Sequence, residues 1–579
     1  MRNRSIYYII VFLLLLNLSF ASFSAEKKQS PLQFQVSGLV GKPLINVQLV
    51  LKNLQTHFHP AMTQIEVLHY YDKAPKEIRN ALAPYGFFQA HIQSSLIKIP
   101  GGWLAKYAVT VGSPMLISTV KIDIQGAGKT DSNFEKIIQE TEIKPGAILH
   151  TQKYETLKTN LYNIATQRGY FNAKMIKSNI IINLNTNRSD IIIIFNTGNR
   201  FRFGKTTFSK TPLYNKFLRR FLQYKEGEYY DAKKAEETQA SLVSSQYFNQ
   251  ALINPEPKKA VNDVVPMYIS LIPRKSKEYT AGLGYGTDTG IRGTLGITLR
   301  ELNGWGHRFE TYLRASQDNS SFIMKYLIPG PNPGRDLFTL AAGYTNINQT
   351  TGNGNSFKLG PDYTMTSGHW KNTFALAYLN EEYNLIAVPQ TSTQLVYPTV
   401  AFRYLNTDNK TQPQNGFVFH TQLSGANEHL LSETTFTQII ASAKTLSTIQ
   451  KTHTRFLFRV DTGYTDITNL DQLPLSLQLF AGGSRSIRGY QYNAIGPGRD
   501  LLVGSVEIQQ RVKKEWYLAA FVDAGSINDD AQILQNPSIG IGPGVVWLSS
   551  FGMLELTVAN AVTQPNKPWV IQFMMGKSI

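Results

Sequence analysis

The stretch Arg308-Phe309-Glu310-Thr311-Tyr312-Leu313-Arg314-Ala315 changes polarity at almost every residue. Because successive side chains of a strand point to opposite faces, this period of two predicts a strand with one apolar face and one mostly polar face. The same alternation recurs in residues 417–424 and 455–461. Similar short runs, separated by turn sequences such as residues 331–334, continue to the end of the chain. The pattern predicts an all-β region over residues 277–579.

Alternation alone does not distinguish a soluble sandwich, whose apolar faces meet in a core, from a membrane barrel, whose apolar face contacts lipid. The large number of strands and the lack of a helical stretch between them favour the barrel. At about 10 residues per strand plus connections, the region fits about 16 antiparallel strands. We therefore expect a transmembrane antiparallel β-barrel.

The preceding part of the chain, residues 26–276, has the period of 3.6 that is typical of helices. It contains a unit of roughly 80 residues that occurs three times, each time with a helix that runs into an aromatic corner. The corners lie at residues 84–90, 168–173 and 245–248, and only the third lacks a glycine. Strand-like runs open and close each unit, which predicts the order β-α-α-β-β. The predicted α+β units cover residues 26–115, 116–200 and 201–276.

The first 25 residues have the pattern of a secretory signal peptide. Arg2 and Arg4 precede an apolar stretch over residues 6–16, and small residues follow it. A single membrane anchor is the alternative, but the apolar stretch is far shorter than the roughly 20 residues that span a bilayer. We expect residues 1–25 to be removed on export.

The composition restricts the chemistry. The chain has no cysteine, which excludes disulfides and thiolate metal sites, and its formal net charge is +18. Such a charge suits nucleic acid or an anionic membrane, but no nucleic-acid-binding pattern accompanies it. No residue set argues for a catalytic triad, a nucleotide loop or a metal centre. We expect a protein that is not an enzyme, uses no cofactor or metal, binds no nucleic acid, and meets lipopolysaccharide or an anionic substrate.

The most specific segment is Ala-Gly-Gly-Ser-Arg-Ser-Ile-Arg-Gly-Tyr-Gln-Tyr at residues 481–492, followed by Gly-Pro-Gly at 496–498. Its glycines allow the chain to fold back sharply, so that Arg488 can reach the barrel interior. In residues 521–525 the period of two places Phe521, Asp523 and Gly525 on one face. If that face is the lumen, Asp523 can offer a carboxylate to the guanidinium of Arg488.

This loop resembles the Arg-Gly-aromatic loop of the BamA/TamA superfamily of outer-membrane assembly proteins, and its sequence is most similar to that of the TamA branch. The Phe-x-Asp-x-Gly strand at residues 521–525 and Glu507 also match the family, whereas Gln509 stands where the family often has arginine, which predicts a smaller ring of contacts. The three α+β units resemble the family's periplasmic POTRA domains. The site residues implied by the resemblance are Ile487, Arg488, Gly489 and Tyr490 in the loop and Glu507, Phe521, Asp523 and Gly525 on the barrel wall.

The resemblance implies a protein of the Gram-negative outer membrane that folds or inserts β-barrel proteins and autotransporters without using a nucleotide. It also implies a seam where the first strand, about residues 279–290, meets the last, about residues 569–579. The glycines that would weaken this seam are Gly282, Gly284, Gly286 and Gly576. The implied partners are unfolded outer-membrane proteins and a TamB-like protein anchored in the inner membrane.

Other interpretations remain open at this point. The loop can be a moving element or a plug that only stabilises the barrel. A polypeptide exporter of the two-partner type belongs to the same superfamily, although such exporters usually carry two repeats and a plug helix. A passive porin would explain the alternation but not the three repeats.

Overall fold

A computed structural model describes most of the chain. The described residues are 31–59, 62–286, 290–385, 388–409, 412–529, 535–549 and 552–576. The predicted signal peptide lies outside them. The described chain forms two compact units, of which one holds the first two repeats and the other holds most of the third repeat together with the barrel.

The first two repeats share one architecture, in which two helices pack on a three-stranded sheet. The first consists of β1 (Leu32–Ser37), α1 (Gly41–Gln55), α2 (Gln64–Leu82), β2 (His91–Ile99) and β3 (Gly102–Thr110). The second consists of β4 (Leu116–Gln125), α3 (Ser132–Glu140), α4 (Thr151–Arg168), β5 (Lys174–Asn183) and β6 (Arg188–Asn196). The last strand lies in the centre of each sheet, parallel to the first strand and antiparallel to the second. Buried side chains such as Ile78 and Leu161 join each helix pair to its sheet.

The third repeat keeps the same order with a shorter first helix. It consists of β7 (Arg202–Phe208), α5 (Asn215–Leu218), α6 (Ala232–Ser244), β8 (Phe248–Pro255) and β9 (Val264–Pro273). The predicted β-α-α-β-β order is therefore confirmed for all three repeats. Within the described ranges, no helix has the length and apolar character needed to cross a bilayer.

The aromatic corners explain the repeated sequence signature. Gly86 and Gly169 end their helices with φ angles of 87° and 84°, in the left-handed region that glycine adopts without strain. In the third repeat Gln246 occupies the equivalent position with φ of 68°. The backbone turn is thus the same in all three repeats, although the third has no glycine.

The rest of the chain forms a 16-stranded antiparallel sheet that curves into a barrel. Its first eleven strands are β10 (Lys277–Gly286), β11 (Gly290–Leu299), β12 (Arg308–Ser316), β13 (Asn319–Pro329), β14 (Asp336–Gln349), β15 (Gly352–Ser367), β16 (Trp370–Leu385), β17 (Val388–Thr407), β18 (Gly416–Ala426), β19 (Phe436–Ile449) and β20 (Thr454–Ile467). A small two-stranded sheet, β21 (Leu479–Ala481) and β22 (Ile495–Gly498), follows. The last five strands are β23 (Asp500–Lys513), β24 (Trp516–Asn528), β25 (Ser538–Ser549), β26 (Gly552–Ala561) and β27 (Trp569–Gly576). The predicted strand number is confirmed.

The two faces of the barrel differ as the alternation predicts. Apolar side chains such as Leu313, Phe374 and Phe458 are exposed on the outside. Polar side chains such as Gln438 and Arg455 are buried inside the barrel. The outward positions of the same strands are apolar. An apolar exterior around a polar interior is the arrangement of a barrel that stands in lipid.

The third repeat packs directly against one end of the barrel. The Tyr214 backbone N–H donates to the Gly304 carbonyl at 2.8 Å. The Tyr247 hydroxyl donates to the Gly306 carbonyl, and the Arg220 guanidinium donates to the Gly330 carbonyl. These contacts involve the β11–β12 and β13–β14 turns, so they define the barrel end that lies on the side of the repeats.

Candidate functional site

The connection between β20 and β23, residues 468–499, folds back into the barrel. Gly489 has a φ angle of 95°, and a β-carbon there would lie 2.9 Å from the Ala561 backbone nitrogen on β26. Only glycine allows the loop to approach the wall this closely. The neighbouring Ile487 and Tyr490 are buried in an apolar cluster that includes Leu479 of β21. The tip of the loop is thereby pressed against the inner wall.

Arg488 is the centre of the site, with only 6% of its surface exposed. Its Nε and Nη2 donate to the two carboxylate oxygens of Asp523 at 2.7 and 2.9 Å, and its backbone N–H also donates to Asp523, at 3.0 Å. The guanidinium carbon lies 3.5 Å from the centre of the Phe521 ring. A two-pronged ion pair stacked on an aromatic ring fixes the orientation of an arginine as well as its position.

Two further carboxylates surround the same guanidinium. Nη1 of Arg488 donates to Glu507 at 2.5 Å and to Glu555 at 2.9 Å. Ser505 links the arginine to the wall, because its hydroxyl donates to Asp523 at 2.6 Å and accepts from Arg488 at 3.3 Å. The sequence did not identify Glu555. Alternation along the sequence could place Glu555 on the inward face of β26. It could not show that Glu555 contacts a distant loop.

One arginine against three carboxylates leaves a surplus of negative charge. Further cations line the same cavity, among them Lys444, Arg459 and Arg485. Arg459 also holds the loop, since its guanidinium donates to the backbone carbonyls of Arg485 and Ser486. Buried charges are stable only when they are paired and hydrogen-bonded, and Arg488 and its three carboxylates meet both conditions.

Gln509, for which a smaller ring of contacts is expected, takes part in the network around the loop. The Gln509 side chain donates to Glu507 at 2.6 Å and accepts from the buried Arg455 at 2.5 Å. The glutamine amide both donates and accepts, so it links Glu507 to a second arginine from the neighbouring strand. The network therefore extends from the loop to four strands of the wall, β20, β23, β24 and β26.

The loop also forms hydrogen bonds with the last strand. The sequence did not predict these contacts. The Gly489 N–H donates to the side-chain oxygen of Gln572 at 3.1 Å, and the Gln572 amide donates to the Tyr490 carbonyl at 3.2 Å. Arg485 adds a contact at 3.3 Å to the Met575 carbonyl. A polar side chain at an inward position of β27 was the only available signal.

The remaining predicted residues lie in the wall and at its two edges. Gly525 faces Val503 of β23, and a β-carbon on it would lie 2.6 Å from the Leu502 carbonyl. Gly282, Gly284 and Gly286 lie on β10, and Gly576 lies on β27 opposite Met553. The predicted extent of the first strand was wrong at its end, since Gly290 begins β11 and pairs with Gly286.

The two edge strands approach each other without forming a ladder. Some Cα atoms of β10 and β27 come within 8 Å of each other. Among the described residues, however, the hydrogen-bonded strand order begins at β10 and ends at β27. Leu283, which is 93% exposed, points outward from this edge. Within the part of the chain that the structure describes, β10 and β27 therefore form no backbone ladder with each other.

Comparisons with known proteins agree with this architecture. Residues 302–579 match the Omp85 superfamily domain, residues 33–111 match the POTRA domain described as TamA domain 1, and residues 119–198 match the POTRA family described as surface antigen variable number repeat. The crystal structure of BamA from Haemophilus ducreyi lacking POTRA domains 1–3 has a TM-score of 0.67 at 15% identity, covering 79% of this chain and 99% of that chain. CdiB from Acinetobacter baumannii has a TM-score of 0.49 at 15% identity, covering 80% and 90% of the two chains.

The polar-lined barrel with its lumen-anchored arginine loop is an Omp85 superfamily domain, and α+β repeats precede it. Its first repeat is a TamA-type POTRA domain. The barrel lies in the outer membrane of a Gram-negative bacterium and the repeats lie in the periplasm. The barrel end that contacts the third repeat is therefore the periplasmic end. Members of this superfamily serve outer-membrane insertion or secretion.

Proposed function

We propose that this protein is a TamA-like assembly factor that folds and inserts β-barrel proteins and autotransporters through the seam between β10 and β27. The observation that carries the proposal is that, among the described residues, β10 and β27 form no backbone ladder with each other, so an incoming strand can add to either edge. Addition of a strand to an exposed edge is a general way in which proteins bind extended chains. Folding of the substrate supplies the driving force, and no nucleotide is needed.

The anchored loop acts in this proposal as the element that holds the seam. Arg488 fixes the loop to β23, β24 and β26, while Gly489 and Tyr490 bind Gln572 on β27. One loop therefore determines where the last strand lies relative to the rest of the wall. Movement of the loop would release β27, and the ion pairs of Arg488 would return it to its place.

We propose a TamB-like inner-membrane protein as the partner of the periplasmic repeats. The first repeat presents exposed apolar side chains at Val40 (84% exposed), which directly precedes α1, at Ile45 and Leu49 of α1, and at Ile65 of α2. Ile45 and Leu49 are four residues apart and lie on one face of α1. Exposed apolar side chains of this size are typical of surfaces that bind another protein.

The double variant Ile45→Glu with Leu49→Glu is expected to lose most of its co-purification with a TamB-like partner, because two carboxylates replace the apolar contact. Insertion of the barrel into the membrane should be unchanged. The matched control is Lys52→Glu with Lys136→Glu, which alters charge on the repeats without altering these apolar positions. Undiminished co-purification of the Ile45 and Leu49 variant would contradict this assignment.

Reconstitution tests the assembly function directly. Liposomes that contain the full chain are expected to convert a urea-unfolded outer-membrane barrel protein into its heat-modifiable folded form faster than empty liposomes do. Conductance across the same membranes distinguishes an assembly factor from a passive porin. We expect a low conductance, because the loop and its network occupy the lumen. An unchanged folding rate together with a large steady conductance would favour the porin.

A further inference from the structure

A row of three basic side chains crosses the inner wall of the barrel on β16, β17 and β18. Lys371 of β16 lies directly opposite Arg403 of β17, and Arg403 lies directly opposite His420 of β18. All three share the inward face, because Phe374, Phe402 and Phe417, at the alternate positions of their strands, are exposed to the outside. Like charges directly opposite each other on neighbouring strands destabilise a sheet. Lys371, Arg403 and His420 are called the basic row below.

Among the residues that the structure describes, no carboxylate of the wall forms an ion pair with the basic row. Along the same register, His420 is followed by Ser442 and then by Asp461, but Asp461 is already paired with Arg459 at 3.3 Å. On the other side, Asp362 of β15 is in register with Ala375, four residues along β16 from Lys371, so it attracts Lys371 only at longer range.

The neighbouring lysine on β13 provides a contrast. Lys325 lies directly opposite the carboxylate of Glu310 on β12, whereas Lys371 lies directly opposite another cation, Arg403. Within the described part of the chain, neither the Lys371 ammonium nor the Arg403 guanidinium forms a hydrogen bond or ion pair with a protein acceptor. The basic row therefore presents positive charge to whatever enters the lumen.

The basic row faces a cavity at the periplasmic half of the lumen. The cavity has a volume of about 370 Å³ and is lined by all three residues, together with Thr373 and Ser442. Lys371 is the second residue of β16, which begins at the barrel end contacted by the third repeat. Arg403 also lines the cavity of the Arg488 site, so a chain that enters from the periplasm meets the row beside that site.

We propose that the basic row binds acidic segments of unfolded polypeptide that enter the barrel from the periplasm. The inference rests on the proposed assembly function and specifies its substrate class. With strands about 4.8 Å apart, the row spans roughly 10 Å, the length of about three residues of extended chain. Two carboxylates on the same face of such a chain, about 7 Å apart, can each lie near a cation of the row. A lipid phosphate fits less well, because its acyl chains would have to leave the bilayer and enter a polar lumen.

Binding of a labelled oligo-glutamate peptide to the full chain in detergent tests the proposal, with oligo-glutamine as the neutral probe. We expect oligo-glutamate to bind more tightly than oligo-glutamine, and the variant Lys371→Gln with Arg403→Gln to weaken oligo-glutamate about tenfold. The matched control is Lys451→Gln with Lys513→Gln, which removes the same charge from the exposed periplasmic ends of β19 and β23 and should change affinity less than about twofold. Heat-modifiable migration verifies that each variant is folded.

Three outcomes would overturn the proposal: equal affinity for both peptides, an equal effect of the control pair, or unchanged binding in the Lys371 and Arg403 variant. Binding of inorganic phosphate by the row without binding of oligo-glutamate would also overturn it, in favour of a phosphate ligand. The proposed assembly function can be refuted independently of the basic row. A wild-type protein that binds oligo-glutamate through the row but inserts no barrel substrate would support the row and refute the assembly function.

Discussion

Replacement of Arg488 by alanine is expected to detach the loop from the wall and to abolish most assembly activity. The three carboxylates that surround the guanidinium, Asp523, Glu507 and Glu555, would remain buried without their cation. Removal of one partner from a buried ion pair typically destabilises a protein by about 3–5 kcal/mol. We expect a lower unfolding temperature in detergent, faster protease cleavage within residues 482–498, and little folding of substrate in liposomes.

Matched variants separate the charge effect from simple loss of a side chain. Arg499→Ala removes an arginine from the same connection that contacts only the Thr468 carbonyl among its described partners, and it should leave stability and activity close to those of the wild type. Adding Asp523→Asn and Glu507→Gln to Arg488→Ala should recover part of the stability, because fewer unpaired charges remain. It should not recover activity, since the loop still lacks its anchor. Wild-type activity in Arg488→Ala would refute the role of the loop.

A disulfide across the seam is expected to stop assembly completely while it is oxidised. Leu283 on β10 and Ile571 on β27 both point outward and are exposed, so cysteines at these positions face the same side. The natural chain has no cysteine that could compete. A bridge needs Cα atoms at about 4.4–6.8 Å, so Tyr285→Cys with Ile571→Cys is made as a second pair in case the register is shifted by two residues. Reduction should restore folding of the substrate to the wild-type rate.

The matched control is a disulfide between two strands that are already paired. Leu295 of β11 and Leu313 of β12 are directly opposite each other and exposed on the outside. Cysteines at these two positions should form a bridge and leave activity unchanged, because no seam is closed. If the Leu283–Ile571 bridge forms fully and assembly continues at the wild-type rate, substrates do not enter through the seam.

The sequence by itself determined the elements and their order. The period of two in stretches such as residues 308–315 depends only on the geometry of a strand, so it predicted the barrel strands and their apolar outer face. The change of period near residue 277 and the aromatic corners at Gly86 and Gly169 predicted the three repeats in the same local way. The ion pair of Arg488 with Asp523 was also within reach, because glycines marked the folded loop and alternation placed the carboxylate on one face of its strand.

Only the tertiary structure decided which distant side chains meet. Glu555 and Gln572 contact the loop because closure of the barrel brings β26 and β27 beside it, 67 and 83 residues away along the chain. Local periodicity carries no information about such neighbours. The same holds for the basic row, whose three members come together through the register of β16, β17 and β18. Alternation assigns a residue to a face, but hydrogen-bond register determines its neighbours across the sheet, and register is fixed only when the whole barrel is formed.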